Sequence, residues 1–156
     1  MAEVYPISVV LDKLKGFTPL QRILMATSGT LQSTLSAYFD GPVTIEVLSQ
    51  SIPEPDEGRP ITRQVSLVCN FKSVCYAKTT VYACGQEAID LIQAQELGLG
   101  QIMQKLGIKP DFRLKRVGQD DDIFWRLYVL SGQGSGVFSS LTYHIREEFP
   151  KHFYED

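Results

Sequence analysis

Hydrophobic and polar residues alternate along the segment from Leu141 to Pro150. Side chains of a β-strand point alternately to two faces, so residues two apart share a face. One face of this segment is apolar except for one carboxylate, and it carries Leu141, Tyr143, Ile145, Glu147 and Phe149. An unpaired charge in a protein core costs on the order of several kcal/mol. Glu147 therefore either has a charged partner, or is protonated, or lines a pocket.

A second charged residue, Arg63, lies on an otherwise apolar face of the alternating segment from Ile61 to Cys69. Two interpretations of this pair of inward charges remain open. Arg63 and Glu147 either form a buried ion pair that only fixes the strand register, or both line a pocket between a sheet and helices. In such a pocket the guanidinium would bind a ligand carboxylate through two parallel hydrogen bonds.

The other apolar patterns predict a mixed fold. Period-two alternation and β-branched residues predict six strands, over Val43–Gln50, Ile61–Cys69, Val74–Tyr82, Asp111–Val117, Ile123–Leu130 and Val137–Phe149. Helical spacing predicts helices that begin at Pro19 after a Thr18 cap, and over Leu31–Phe39, Gly85–Gln93 and Leu99–Leu106. The segment from Val4 to Leu14 is either a short helix or a poorly ordered lead-in.

Short connections between most of the strands imply antiparallel neighbours. Helices grouped on one face of such a sheet give an α+β domain. We therefore expect one domain over residues 1–156, with a six-stranded antiparallel sheet and helices that close an internal ligand cavity. Ser51 to Pro60 is expected to be an exposed loop or a mobile flap, because it is rich in proline and acidic residues.

Composition restricts the class of function. The net charge of −3 argues against a nucleic-acid partner, which requires a strongly basic surface. No apolar run reaches the roughly 20 residues of a membrane span, and the first residues lack the features of a signal peptide. The three cysteines have no metal-type spacing, so reduced thiols in a cytoplasmic protein are expected. The sequence leaves the oligomeric state open.

Other chemically suggestive segments have simpler explanations. The glycine-rich segment from Gly132 to Gly136 is expected between two strands, so it is interpreted as a hairpin loop and not as a phosphate site. The consecutive Asp120, Asp121 and Asp122 lack the alternation of calcium ligands. His144 is expected on an outward strand face. No metal site and no cofactor are predicted.

Four short stretches, in this order and spacing, together resemble the chorismate pyruvate-lyase family, also called 4-hydroxybenzoate synthases. They are Ser28-Gly29-Thr30-Leu31, Arg63-Gln64-Val65-Ser66-Leu67, Leu99-Gly100, and Leu130-Ser131-Gly132 leading into Glu147-Glu148-Phe149. The resemblance covers nearly the whole chain, and it is closer to the shorter members of the family than to the ubiquinone-pathway enzymes.

The resemblance implies a cofactor-independent lyase that converts chorismate to 4-hydroxybenzoate and pyruvate. The aromatic acid would be the ring precursor of a prenylquinone, such as plastoquinone or ubiquinone, or of a phenolic lipid. By the same likeness, Arg63 and Glu147 are the catalytic pair. Arg63 would bind the ring carboxylate of the substrate, and Glu147 would contact the hydroxyl group at the other end of the ring. Leu31 and Leu99 would line helical flaps over the ring.

The sequence departs from the family at one substrate-binding position. The ubiquinone-pathway enzymes carry a second arginine there, and Thr79 is the matching residue here, between Lys78 and Thr80. Lys78 is a poor substitute because it faces the other side of the strand. The departure concerns the holding of the pyruvyl carboxylate. Two alternatives to this lyase remain open: a non-enzymatic domain of the same fold that senses aromatic acids, and a lyase that produces another hydroxybenzoate isomer.

Overall fold

The computed structural model describes residues 7–28, 31–54, 59–94, 97–134 and 140–155. It is an α+β structure with one six-stranded antiparallel sheet in the order β1-β2-β3-β6-β5-β4. The strands are β1 (Val43–Ser51), β2 (Ile61–Cys69), β3 (Lys72–Cys84), β4 (Asp111–Gln119), β5 (Ile123–Gln133) and β6 (Ser140–Pro150). The helices are α1 (Ile7–Lys13), α2 (Pro19–Ala26), α3 (Leu31–Phe39), α4 (Gln86–Ala94) and α5 (Leu99–Lys105).

The predicted elements are confirmed, and most of the differences are at their ends. The bounds of α3 and β2 agree with the prediction. Strand β3 extends two residues further at each end, and β4 and β5 extend two and three residues further at their C-terminal ends. The predicted turn from Asn70 to Ser73 is too long, because the hairpin reverses over Asn70 and Phe71 alone. Several predicted stretches lie partly outside the described residues. They include the flap at residues 55–58, the first resemblance stretch at Gly29 and Thr30, the glycine-rich segment at residues 135–136 and the last strand at residues 137–139.

Alternation sorts the sheet into a buried face and a polar face. On β6, Leu141, Tyr143, Ile145, Glu147 and Phe149 are all buried, whereas His144 is exposed. The buried face carries the helices: backbone carbonyl groups of α2 and α4 accept hydrogen bonds from its side chains. Burial of the apolar side chains stabilises the packing of the helices on this face. The charged residues of the same face are therefore covered by the helices.

Local capping explains where α2 begins. The Thr18 hydroxyl accepts a hydrogen bond from the Gln21 backbone N–H, and the Gln21 side chain accepts one from the Thr18 N–H. This reciprocal capping box satisfies two N–H groups that a helix start leaves without partners. The helix ends at Ala26 and contacts β5.

None of the helices in the described ranges combines the length and the apolar character needed to cross a membrane.

Candidate functional site

A cavity of about 1160 Å³ lies between the buried face of the sheet and helices α3 and α5. Its walls are mainly apolar, with side chains that include Val65, Leu67, Met103, Leu130 and Ile145. The polar groups Arg63, Thr79, Tyr128, Tyr143 and Glu147 also line it. A mainly apolar cavity with a few convergent polar groups is typical of small-molecule sites.

All the residues predicted for the site line this one cavity. Arg63, Thr79 and Glu147 are buried on strands β2, β3 and β6. Leu31 and Leu99 are the first residues of α3 and α5, on the opposite wall. Lys78 is exposed on the other face of the sheet, as expected from its parity with Thr79.

Arg63 is 2% exposed and is held by three hydrogen bonds. Its Nε donates to Gln50 Oε1 at 2.7 Å, its Nη1 to Leu97 O at 3.2 Å and its Nη2 to Ile92 O at 3.0 Å. Burial lowers the pKa of Arg63 from its ordinary value, and the nearby Tyr143 acts in the opposite direction. A guanidinium has five N–H donors, so one N–H on each terminal nitrogen remains for a ligand.

Glu147 is held by two neighbours on β5. Its Oε1 accepts a hydrogen bond from Arg126 Nε at 2.7 Å, and its Oε2 accepts one from the Tyr128 hydroxyl at 2.9 Å. Burial raises the pKa of Tyr128 well above its ordinary value, and the negative charge of Glu147 adds to this effect. Each carboxylate oxygen can accept two hydrogen bonds, so each keeps a free position for a ligand.

The strand register sets the spacing between the two charged groups. Glu147 pairs with Ala77, Ala77 pairs with Val65, and Arg63 lies two residues from Val65 on β2. Neighbouring strands are ~4.8 Å apart and the rise is ~3.3 Å per residue, so the two Cα atoms are separated by about 12 Å. This separation leaves room for one benzoate-sized molecule with a hydrogen bond at each end.

One of the two open interpretations of the inward charges is excluded, and one expectation about the site needs correction. Arg63 and Glu147 do not form an ion pair with each other, since each has its own partners. The cavity is also not closed: its rim includes the exposed residues Asp40, Gln104 and Lys109. The helices are short and cover only some of the six strands. One side of the cavity between the helices and the sheet is therefore open.

Arg126 and Tyr128 were not predicted as site residues, although the signal was in the sequence. On β5, Phe124, Arg126, Tyr128 and Leu130 alternate and are all buried. The parity rule that identified Glu147 therefore also identifies Arg126 as an inward charge. The predicted hairpin loop already implies that β5 pairs with β6. The register of this pair, which places Arg126 opposite Glu147, was not predicted.

Within the described part of the chain, no group of three or more His, Cys, Asp or Glu side chains is placed to hold a metal ion. Comparison with protein-family models gives no match for this chain, and comparison with curated proteins gives none either.

Proposed function

We propose that the protein is a chorismate pyruvate-lyase of the chorismate lyase-like fold, which forms 4-hydroxybenzoate and pyruvate. One observation carries the proposal: Arg63 and Glu147, both buried, line a single mainly apolar cavity. Their Cα atoms are about 12 Å apart, which leaves room for one aromatic ring with a hydrogen bond at each end. The guanidinium can bind the ring carboxylate, while the carboxylate of Glu147 can accept a hydrogen bond from the hydroxyl group at the far end.

In this reaction the protein mainly has to orient the substrate, and it does not have to activate a nucleophile. The C–O bond to the enolpyruvyl group breaks, and its electron pair leaves with the oxygen. The neighbouring ring carbon, which bears the hydroxyl, loses a proton, and that C–H electron pair completes the aromatic ring. The released enolpyruvate takes up a proton and becomes pyruvate. Because the ring becomes aromatic, a site that fixes the substrate and stabilises the developing charge is sufficient.

Glu147 is placed at the end of the cavity where this proposal puts the hydroxyl-bearing carbon. Its carboxylate can either orient the hydroxyl group or accept the departing proton. Arg63 fixes the other end of the ring, so the two residues together restrict its rotation. The apolar walls favour a flat aromatic product as well as the substrate, so slow product release is expected to limit turnover.

Incubation of the purified protein with chorismate, without added metal, tests the proposal. We expect 4-hydroxybenzoate and pyruvate in equal amounts, detected by chromatography and by a coupled lactate dehydrogenase assay. Glu147→Gln should lower the rate by about 100-fold or more. The matched control is Glu148→Gln, the next residue on the outward face, which should keep the wild-type rate. Absence of product with the wild-type protein contradicts the lyase function.

A second candidate function is a non-enzymatic domain that binds aromatic acids. The observation in its favour is that Thr79 lies beside Arg63, at the position where the ubiquinone-pathway enzymes that the sequence resembles carry a second arginine. Among the described residues that line the cavity, only Arg63 and the rim residue Lys109 are cationic. Chorismate has two carboxylates, whereas a simple benzoate has one. Tight benzoate binding without turnover of chorismate would favour this second function.

A further inference from the structure

Arg126 is the most deeply buried charged side chain of the site, at 1% exposure, yet it is not among the residues that line the cavity. Its Nε donates to Glu147, and its Nη1 donates to Met25 O and Thr27 O, both at 2.8 Å. The guanidinium also stacks over the Tyr128 ring, 4.2 Å from the centroid. Arg126 therefore connects the end of α2 to the carboxylate of Glu147.

The surroundings of Arg126 favour its charged form on two sides. The last carbonyl groups of a helix carry a partial negative charge and attract a cation, and Glu147 supplies a full negative charge. Burial acts to lower the pKa of Arg126, but Glu147 and the other neighbours outweigh burial, so this pKa is raised. A guanidinium with these contacts has few alternative positions, and this restricts the carboxylate that it holds.

We infer that Arg126 is a positioning residue, which holds Glu147 as an oriented acceptor for the hydroxyl group of the bound ring. The inference rests on the proposed function, in which Glu147 meets that hydroxyl. Tyr128 completes the arrangement, since its hydroxyl occupies one position on the second carboxylate oxygen. The remaining positions on the two oxygens are then the ones available to a ligand.

A buried ion pair can also have only a stabilising role. The experiment must therefore measure how strongly the site recognises the hydroxyl group of the ligand. Benzoate and 4-hydroxybenzoate differ only in that group. A purely structural role of Arg126 predicts that its loss lowers the melting temperature and weakens both ligands equally. A positioning role predicts that its loss removes the preference for 4-hydroxybenzoate and leaves benzoate binding nearly unchanged.

The experiment measures the Kd of both ligands by calorimetry for the wild type, Arg126→Gln, Glu147→Gln and Tyr128→Phe. The wild type should prefer 4-hydroxybenzoate by about 10-fold or more, as for one hydrogen bond to a charged acceptor. The preference should fall to about 2-fold or less in Arg126→Gln and Glu147→Gln. Arg146→Gln is the matched control, because Arg146 pairs with Glu148 on the outer face, and it should keep the wild-type preference.

Two outcomes overturn the inference directly, and a further variant decides the case in which Arg126→Gln does not fold. If Arg126→Gln is folded and keeps the preference that Glu147→Gln loses, Arg126 does not position Glu147, and the proposed function is untouched. If the wild type has no preference for 4-hydroxybenzoate, the assumed binding mode fails together with the inference. If Arg126→Gln does not fold, Tyr128→Phe decides: a partial loss of preference supports a positioned carboxylate, and an unchanged preference contradicts it.

Discussion

At the scale of single residues, each buried charge of the site has partners that fix its position without using all its capacity. Arg63 donates to two backbone carbonyl groups and one amide side chain. Glu147 accepts from one guanidinium and one phenol. Groups that are held in this way lose little conformational entropy when a ligand binds. This arrangement is what a preorganised site requires.

The first prediction concerns Arg63. We expect Arg63→Met to weaken benzoate binding by about 10- to 100-fold, because hydrogen bonds to a charged group are lost. The variant also removes the donor to Gln50 Oε1 and to Leu97 O, and one of the two donors to Ile92 O. The free energy of unfolding should therefore fall by about 1–3 kcal/mol. Arg146→Met, on the outer face, serves as the control and should change neither quantity. Unchanged benzoate affinity in Arg63→Met would exclude Arg63 from ligand binding.

At the scale of elements, the hairpin between β2 and β3 reverses over two residues in the left-handed region. Asn70 has φ 52° and Phe71 has φ 65°. This geometry is that of a type I′ turn, which matches strand twist and prefers Asn-Gly. Phenylalanine in this conformation is strained, and the Phe71 side chain is fully exposed. The sequence suggested a longer turn, since Asn-Phe is not a typical type I′ pair.

The second prediction follows from this strain. Phe71→Gly should raise the free energy of unfolding by about 1 kcal/mol, because glycine adopts positive φ without steric cost. Phe71→Ala is the control: it removes the ring but keeps the Cβ atom, so no comparable gain is expected. Urea denaturation of the three proteins checks this. Equal gains for both variants would mean that the exposed ring, not the backbone, is unfavourable.

The third prediction concerns the turn between β4 and β5. The Asp120 carboxylate accepts hydrogen bonds from the backbone N–H groups of Ile123 and Asp122, and these bonds lower the pKa of Asp120. A carboxyl group with a lowered pKa in the folded state stabilises it above the unfolded pKa, about 4. That contribution is lost as the pH falls through the lower, folded value.

Asp120→Ala should therefore be less stable than the wild type at pH 7, and the difference should shrink progressively below about pH 4. Thermal unfolding at several pH values measures it. Asp120→Asn keeps an acceptor oxygen without the charge, so its difference from Asp120→Ala should not change with pH. A wild-type advantage over Asp120→Ala that is constant down to pH 2 would contradict this account of the turn.

Most elements could be predicted from the sequence because their periodicity is strong and local. Strand β2 follows the period-two pattern at most of its positions, and α2 begins with a clear capping pattern. The strand ends were less predictable, because tertiary pairing extends β3 to Cys84 beyond its clear alternation. Irregularities within strands could not be predicted from the sequence either. A bulge at Leu48 interrupts the pairing of β1 with β2, and the Leu48 side chain is half exposed.

At the scale of the whole molecule, the site depends on contacts between distant parts of the chain. Strand β6 lies between β3 and β5, so Glu147 is placed next to Arg126 on one side and near the Arg63 strand on the other. Parity indicates which side chains point inward, but it does not give the strand order. The inward residues and the hairpin of the last two strands could therefore be predicted, whereas the register that makes Arg126 the partner of Glu147 and the open rim of the cavity could not.

The central claim is that one ligand spans the distance between Arg63 and Glu147. A crystal structure of the protein with bound 4-hydroxybenzoate tests this claim most directly. We predict that the ligand carboxylate lies within hydrogen-bond distance of the Arg63 Nη atoms and the hydroxyl within hydrogen-bond distance of a Glu147 oxygen. A ligand bound outside the cavity, or with its carboxylate away from Arg63, would contradict the account.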